Sequence, residues 1–176
     1  MVHKEKTISS EYIYKGKILN LRKDLVSVKG GNTSYREIVE HNGAVGILCI
    51  DNDKNVILVK QYRKAAEEIL LEIPAGKLED REQPYTCALR ELEEETGVKT
   101  KELIFLGEFY LSAGFSSEKM YLYFCKVEDI GLQNLDKDED IEIVKIEYSK
   151  ILEMVENDEV SDAKTALAIL LCKKYI

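Results

Sequence analysis

Apolar positions along the chain switch between a period of two and a period near 3.6, and each switch marks an element. Over residues 4–43, Tyr12, Tyr14, Ile18, Leu21, Leu25, Val26 and Val28 are interleaved with Lys, Arg and Asp, and Gly30-Gly31-Asn32 interrupts them. That reads as short strands with a tight turn. Tyr35 to His41 alternates again. Ala44 to Ile50 (AVGILCI) is continuously apolar, which suits a central strand covered on both faces, and Val56 to Arg63 follows the turn Asp51-Asn52-Asp53 as a second strand. Residues 64–71 read as a short, helix-tinged connection, and LEIPA (71–75) leads into a loop. Further on, Ile104–Tyr110, Met120–Lys126 and Glu142–Tyr148 read as strands, with 112–119 and the acidic stretch 128–141 as loops. Two helices are predicted at Ser149–Asn157 and Ser161–Lys174, each with its serine as the capping residue.

The remaining stretch, Gly76 to Val98 (GKLEDREQPYTCALRELEEETGV), enters through a loop and carries a helix between Pro84 and Gly97. Pro84 suits a first turn, where its missing N–H costs nothing, and Gly97 suits the left-handed position just past the end. At about 100° per residue, Tyr85, Ala88, Leu89, Leu92 and Thr96 gather on one side of the cylinder. Glu91, Glu94 and Glu95 fall on another side, within an arc of roughly 100°, with Arg90 at its margin. Like charges one turn apart weaken a helix. A hard divalent cation converts that repulsion into binding, because Mg²⁺ and Mn²⁺ favour carboxylate oxygen. An acidic run on a helix is most often a solvated face, so the triplet gains its meaning from the whole pattern around it.

Strands mixed with three helices predict an α/β layered fold, with helices on both sides of a mixed sheet. Residues 1–43 have too few apolar side chains for a core of their own, since two or three strands alone are marginal. They read as an N-terminal antiparallel β arm that packs on the rest of the chain or on a second copy, with 44–176 as the main domain. The chain has 176 residues, 45% hydrophobic and 33% charged, in keeping with a globular domain. Its formal charge of −8 argues against a nucleic-acid partner. It does not argue against a small anion bound through metal ions. No apolar run is long enough for a membrane span and no secretory leader is visible, which places the chain in the cytoplasm. Cys49, Cys87, Cys125 and Cys172 stand far apart in apolar surroundings and read as core thiols in a reducing compartment. The two histidines, His3 and His41, form no nucleophilic triad, and His41 reads as a strand-end hydrogen-bonding group.

Gly76, Glu82, Arg90, Glu91, Leu92, Glu94, Glu95, Gly97 and Val98 fit the pattern G-x5-E-x7-R-E-U-x-E-E-x-G-U, with U aliphatic. In this the chain resembles the Nudix hydrolases. Outside that box, QYR at 61–63, LEIPAGKLE at 71–79, REIVEH and GAV within 36–45, LSAGFSSEK at 111–119 and DAKTA at 162–166 are similar to the ADP-ribose pyrophosphatase branch.

The resemblance implies a Nudix α/β/α sandwich and Mg²⁺-dependent cleavage of ADP-ribose to AMP and ribose 5-phosphate, with Mn²⁺ as a possible substitute. It implies that Glu91, Glu94 and Glu95 hold the metal together with the Ala75 carbonyl. Glu82 assists, Arg90 orients the helix carboxylates, and Gly76 shapes the loop. Arg63 and Arg36 contact the substrate, and Glu118 is a candidate base or further metal contact. It further implies a homodimer formed through exchanged N-terminal strands. One departure bears on the substrate: Ala113 stands where that branch has proline, which frees a φ angle in the loop. Two alternatives stay open: a Nudix pyrophosphatase for another nucleoside diphosphate sugar such as GDP-mannose, and a domain that senses nucleotides without cleaving them.

Overall fold

A computed structural model describes residues 2–135, 137 and 139–176. The loop reading over 128–141 therefore falls outside the described residues at Asp136 and Asp138. The elements, in chain order, are β1 (Lys6–Lys15), β2 (Asn20–Ser27), β3 (Thr33–Glu40), β4 (Ala44–Ile50), β5 (Asn55–Arg63), β6 (Glu68–Glu72), β7 (Ala75–Lys77) and α1 (Pro84–Thr96). They continue with β8 (Val98–Lys99), β9 (Ile104–Tyr110), β10 (Lys119–Lys126), β11 (Asp129–Ile130), β12 (Ile141–Glu147), α2 (Tyr148–Glu156) and α3 (Ala163–Leu171). Among the described residues no helix is long and apolar enough to cross a membrane.

Backbone contacts divide the chain into two units. The first takes Met1–Gly43 with Phe109–Lys119. Its strands β1, β2 and β3 form an antiparallel meander, and every residue of β1 is exposed. Val39 of β3 donates its N–H to the Phe115 carbonyl and accepts from the Ser117 N–H, so the 111–118 loop runs alongside that strand. Val26 is the one apolar side chain buried here among the described residues, whereas Ile8, Tyr12, Ile13, Tyr14, Tyr35, Tyr110 and Phe115 are exposed.

The second unit, Ala44–Glu108 with Met120–Ile176, is built on a mixed sheet in the order β12-β5-β4-β10-β9. β10 runs parallel to β4 along its whole length, from Met120 opposite Ala44 to Lys126 opposite Ile50. β5 is antiparallel to β4 only at Cys49↔Ile57 and Ile50↔Val56. Towards its start β4 takes β7 as partner instead, with Val45 opposite Gly76, while β5 pairs with β6. The sheet thus forks, and the fork sets the Ala75–Gly76 backbone beside α1.

All seven residues of β4 are buried, as its unbroken apolar run requires. Val45, Ile47 and Cys49 join Cys87, Ala88 and Leu92 of α1 in one cluster. α3 also packs on β4, and Phe124 of β10 stacks on Tyr175 of the 3-10 turn that follows α3. This is the predicted mixed sheet with three helices, beside a separate antiparallel N-terminal sheet.

Four local expectations are corrected. Residues 68–72 are the strand β6 rather than a helix-tinged connection, because pairing to β5 satisfies their backbone. α2 is not capped by Ser149; its cap residue is Glu147, whose carboxylate receives the Ser149 hydroxyl at 2.9 Å. α3 is capped by Asp162 rather than Ser161, its carboxylate accepting the Thr165 N–H at 3.0 Å. That helix also ends at Leu171 and tightens into the 3-10 turn instead of continuing to Lys174.

Leu92 is fully buried in the cluster under α1. Leu92→Ala is expected to lower unfolding free energy by about 2–5 kcal/mol, read by denaturant titration, with the fold otherwise retained.

Candidate active site

α1 starts at Pro84 and ends against Gly97, whose φ of 70° and N–H donation to the Glu93 carbonyl stop it one turn after Glu94. Its carboxylates meet the fork of the sheet. A Cβ at Gly76 would overlap the Glu91 carboxylate, so glycine at this position lets that side chain lie flat on the β7 backbone. Glu95, on the acidic side of the helix, is 4% exposed and accepts the Ala75 N–H at 2.9 Å. The β7 loop covers it, which the helical angle alone does not report.

Arg90 organises the rest. Its Nε and Nη2 donate to the two oxygens of Glu82 at 3.0 and 2.9 Å, and Nη1 donates to Glu91 and Glu94 at 2.8 and 3.0 Å. The guanidinium holds the Glu82 carboxyl down to about 2. The other acids move the opposite way. Burial raises Glu91, although Arg90 opposes it, and Glu94 and Glu139 raise it further. Burial also raises Glu95 to about 8, against the Ala75 hydrogen bond, with the charges of Glu91 and Glu139 adding to the rise.

Glu139 is a carboxylate the sequence reading left in an acidic loop. One signal could have found it. β12 pairs with β5 at Ile141↔Gln61, and counting that register two residues back brings 139 to the level of Arg63. Arg63 itself grips Glu72 through Nε and Nη2 at 2.6 and 2.7 Å, and it feels the charge of Glu95.

Ala75, Gly76, Glu82, Arg90, Glu91, Glu94, Glu95 and Arg63 all belong to the second unit. Arg36 and Glu118 belong to the first. There Arg36 pairs with Glu5 at 2.5 and 3.0 Å. His41 accepts the Gly43 N–H on Nδ1 at 3.0 Å, a strand-end hydrogen bond. With that lone pair engaged, the 3.8 Å approach of Glu118 to Nδ1 is a contact rather than a hydrogen bond.

A family model for the NUDIX domain matches residues 40–168. This chain belongs to the Nudix family. Among its relatives, an ADP-ribose pyrophosphatase of Bacillus subtilis is 44% identical over 94% of this chain and 90% of its own. A methanol dehydrogenase activator of Bacillus methanolicus is 40% identical over 94% and 90%. A GDP-mannose pyrophosphatase of Salmonella typhimurium is 31% identical over 94% and 91%. The crystal structure of an ADP compounds hydrolase shares the fold, with a TM-score of 0.85 at 22% identity over 99% of this chain and 95% of that one.

Among the described residues of this Nudix protein, no three His, Cys, Asp or Glu side chains stand ready-made around a metal position. Arg90 Nη1 occupies the gap between Glu91 and Glu94 instead. The donor chemistry nonetheless fits a hard cation. An ionised carboxylate has about four acceptor positions. Among the hydrogen bonds found, Glu91 and Glu95 each accept one protein donor, and burial with mutual repulsion destabilises both anions. A divalent ion held there would supply the missing positive charge.

The shifts have opposite consequences for stability. The raised Glu95 makes its contribution below about 4.5 and loses it as pH rises through about 8. The lowered Glu82 contributes above about 4.5 and loses it as pH falls through about 2. In a chelator, this Nudix protein should therefore become less stable from pH 5 to pH 8, by up to about 1.4 kcal/mol per unit. Glu95→Gln should flatten that slope in pH-resolved melts, and Mg²⁺ should restore stability at pH 8 to the wild type only.

Proposed function

We propose that this chain hydrolyses the pyrophosphate bond of ADP-ribose, giving AMP and ribose 5-phosphate, with Mg²⁺ or Mn²⁺ as the cofactor. The observation that carries the reading is the pair of destabilised carboxylates on α1, Glu95 buried and Glu91 partly so and laid against the β7 backbone at Gly76. The 44% identity to an ADP-ribose pyrophosphatase supports the choice of substrate.

Glu91, Glu94 and Glu95 hold the cation, joined by the Ala75 carbonyl. A cation held by these residues would supply charge to neutralise phosphate oxygens and lower the pKa of a water. The chain's own groups set the geometry. Glu82 fixes the Arg90 guanidinium from one side, and Arg90 orients Glu91 and Glu94 from the other. The Ala75 N–H fixes one oxygen of Glu95 and leaves the second available. Arg63 has N–H groups beyond its Glu72 pair and serves the diphosphate. Arg36 serves the substrate by exchanging Glu5 for a phosphate, and Glu118 is the candidate base.

The same reading assigns residues 1–43 to an arm that forms a homodimer and 44–176 to the catalytic domain, in the cytoplasm. The exposed apolar side chains of β1 support the dimer, because a single copy leaves them in water. A second reading, cleavage of another nucleoside diphosphate sugar such as GDP-mannose, is favoured by Ala113, which loosens the 111–118 loop.

Product release from ADP-ribose and GDP-mannose, each with Mg²⁺ and Mn²⁺, tests the assignment. Preferred turnover of ADP-ribose is expected, and Glu95→Gln should reduce kcat by about three orders of magnitude. Equal or greater turnover of GDP-mannose would remove the substrate assignment. Metal-independent binding without turnover would replace the enzyme with a sensor.

A further inference from the structure

Lys164 is 8% exposed, and its ammonium lies between two acids, Glu72 and Asp162. Glu72 is itself 1% exposed and receives Lys164 on Oε2 together with both Arg63 donors. Asp162 caps α3, takes the Thr165 hydroxyl at 2.5 Å, and that same hydroxyl accepts the Ile73 N–H at 2.8 Å. The result is a tetrad of two cations and two anions joining α3 to the β6–β7 segment, with Lys164 and Glu72 buried and Arg63 and Asp162 partly exposed. Well-packed apolar residues commonly stabilise a core as well as buried ion pairs do, so stability gives such a tetrad no advantage. What it does supply is direction. With both Glu72 oxygens engaged, Arg63 is held edge-on and presents its remaining N–H groups on the other edge.

We propose that Lys164 is a positioning residue for substrate: with Glu72 it aims the Arg63 guanidinium at the diphosphate bound beside Glu95. The inference rests on the assignment of Arg63 as a substrate contact. Lys164 acts by neutralising Glu72 and Asp162 together. Without it, Glu72 and Asp162 share Arg63 as their cation, and the guanidinium is drawn inward, away from the ligand.

The test is ADP-ribose binding in EDTA, where nothing turns over, followed by KM and kcat with Mg²⁺. Lys164→Met, which keeps the aliphatic stem, should raise Kd and KM by about tenfold while kcat stays within about threefold. Lys164→Arg should recover most of the affinity. In an Arg63→Ala background, Lys164→Met should change Kd no further, because its effect passes through a group already removed. An unchanged Kd in Lys164→Met, or an additive loss in the double variant, overturns the proposal. If Lys164→Met does not fold, Lys164→Gln takes its place under the same criteria.

Should the wild type neither bind nor cleave ADP-ribose, the substrate assignment fails rather than the positioning. Hydrogen exchange at the Arg63 Nε–H, followed by ¹⁵N NMR without ligand, then decides. At least about tenfold faster exchange in Lys164→Met supports the tetrad's hold on Arg63. Unchanged exchange refutes it.

Discussion

Mutual repulsion among Glu91, Glu94 and Glu95 is the constraint around which the second unit is arranged. Each would be inexpensive on a solvated helix face. Here Glu95 is covered and Glu91 lies on backbone, so desolvation adds to the repulsion and both acids hold their protons more tightly. The fold answers with one guanidinium and one peptide N–H. Arg90 is anchored by Glu82 and bridges Glu91 and Glu94, while the Ala75 peptide secures Glu95. Together they fix where the carboxylates stand but leave most of their acceptor capacity unused. That combination suits a cation site.

The forked pairing of β4 makes the arrangement possible. Had β5 continued alongside β4 for its full length, residues 75–77 would have no edge to join. Because β5 leaves after Ile57, β7 takes the vacant edge and presents Ala75 and Gly76 to α1. The Pro74 carbonyl accepts the Ile47 N–H at 2.9 Å, which carries the pairing one residue further. Between Glu72 and Ala75 the chain is then tied at each residue: to Arg63 and Lys164, to Thr165, to Ile47, and to Glu95. A segment held this way fixes both the peptide N–H on Glu95 and, through Glu72, the Arg63 guanidinium.

The arm follows a different logic. Its strands pair with one another, yet Val26 is the one apolar side chain they bury among the described residues, and β1 is exposed along its whole length. Aromatic and aliphatic side chains left in water on a sheet are suited to a second surface.

Much of this was legible in the sequence. The period of apolar positions gave β4, β5, β10 and α1, and Pro84 with Gly97 gave both ends of the helix, because backbone geometry at those positions depends on local residue type. The spacing from Gly76 to Val98 gave the acidic cluster for the same reason. What periodicity could not report was which neighbour covers each face. The burial of Glu95, the approach of Glu139 and the neutralisation of Glu72 by Lys164 all depend on contacts between separate elements. Two residues 92 positions apart meet in that last pair. Desolvation and charge pairing act through space, so only the tertiary structure decides them.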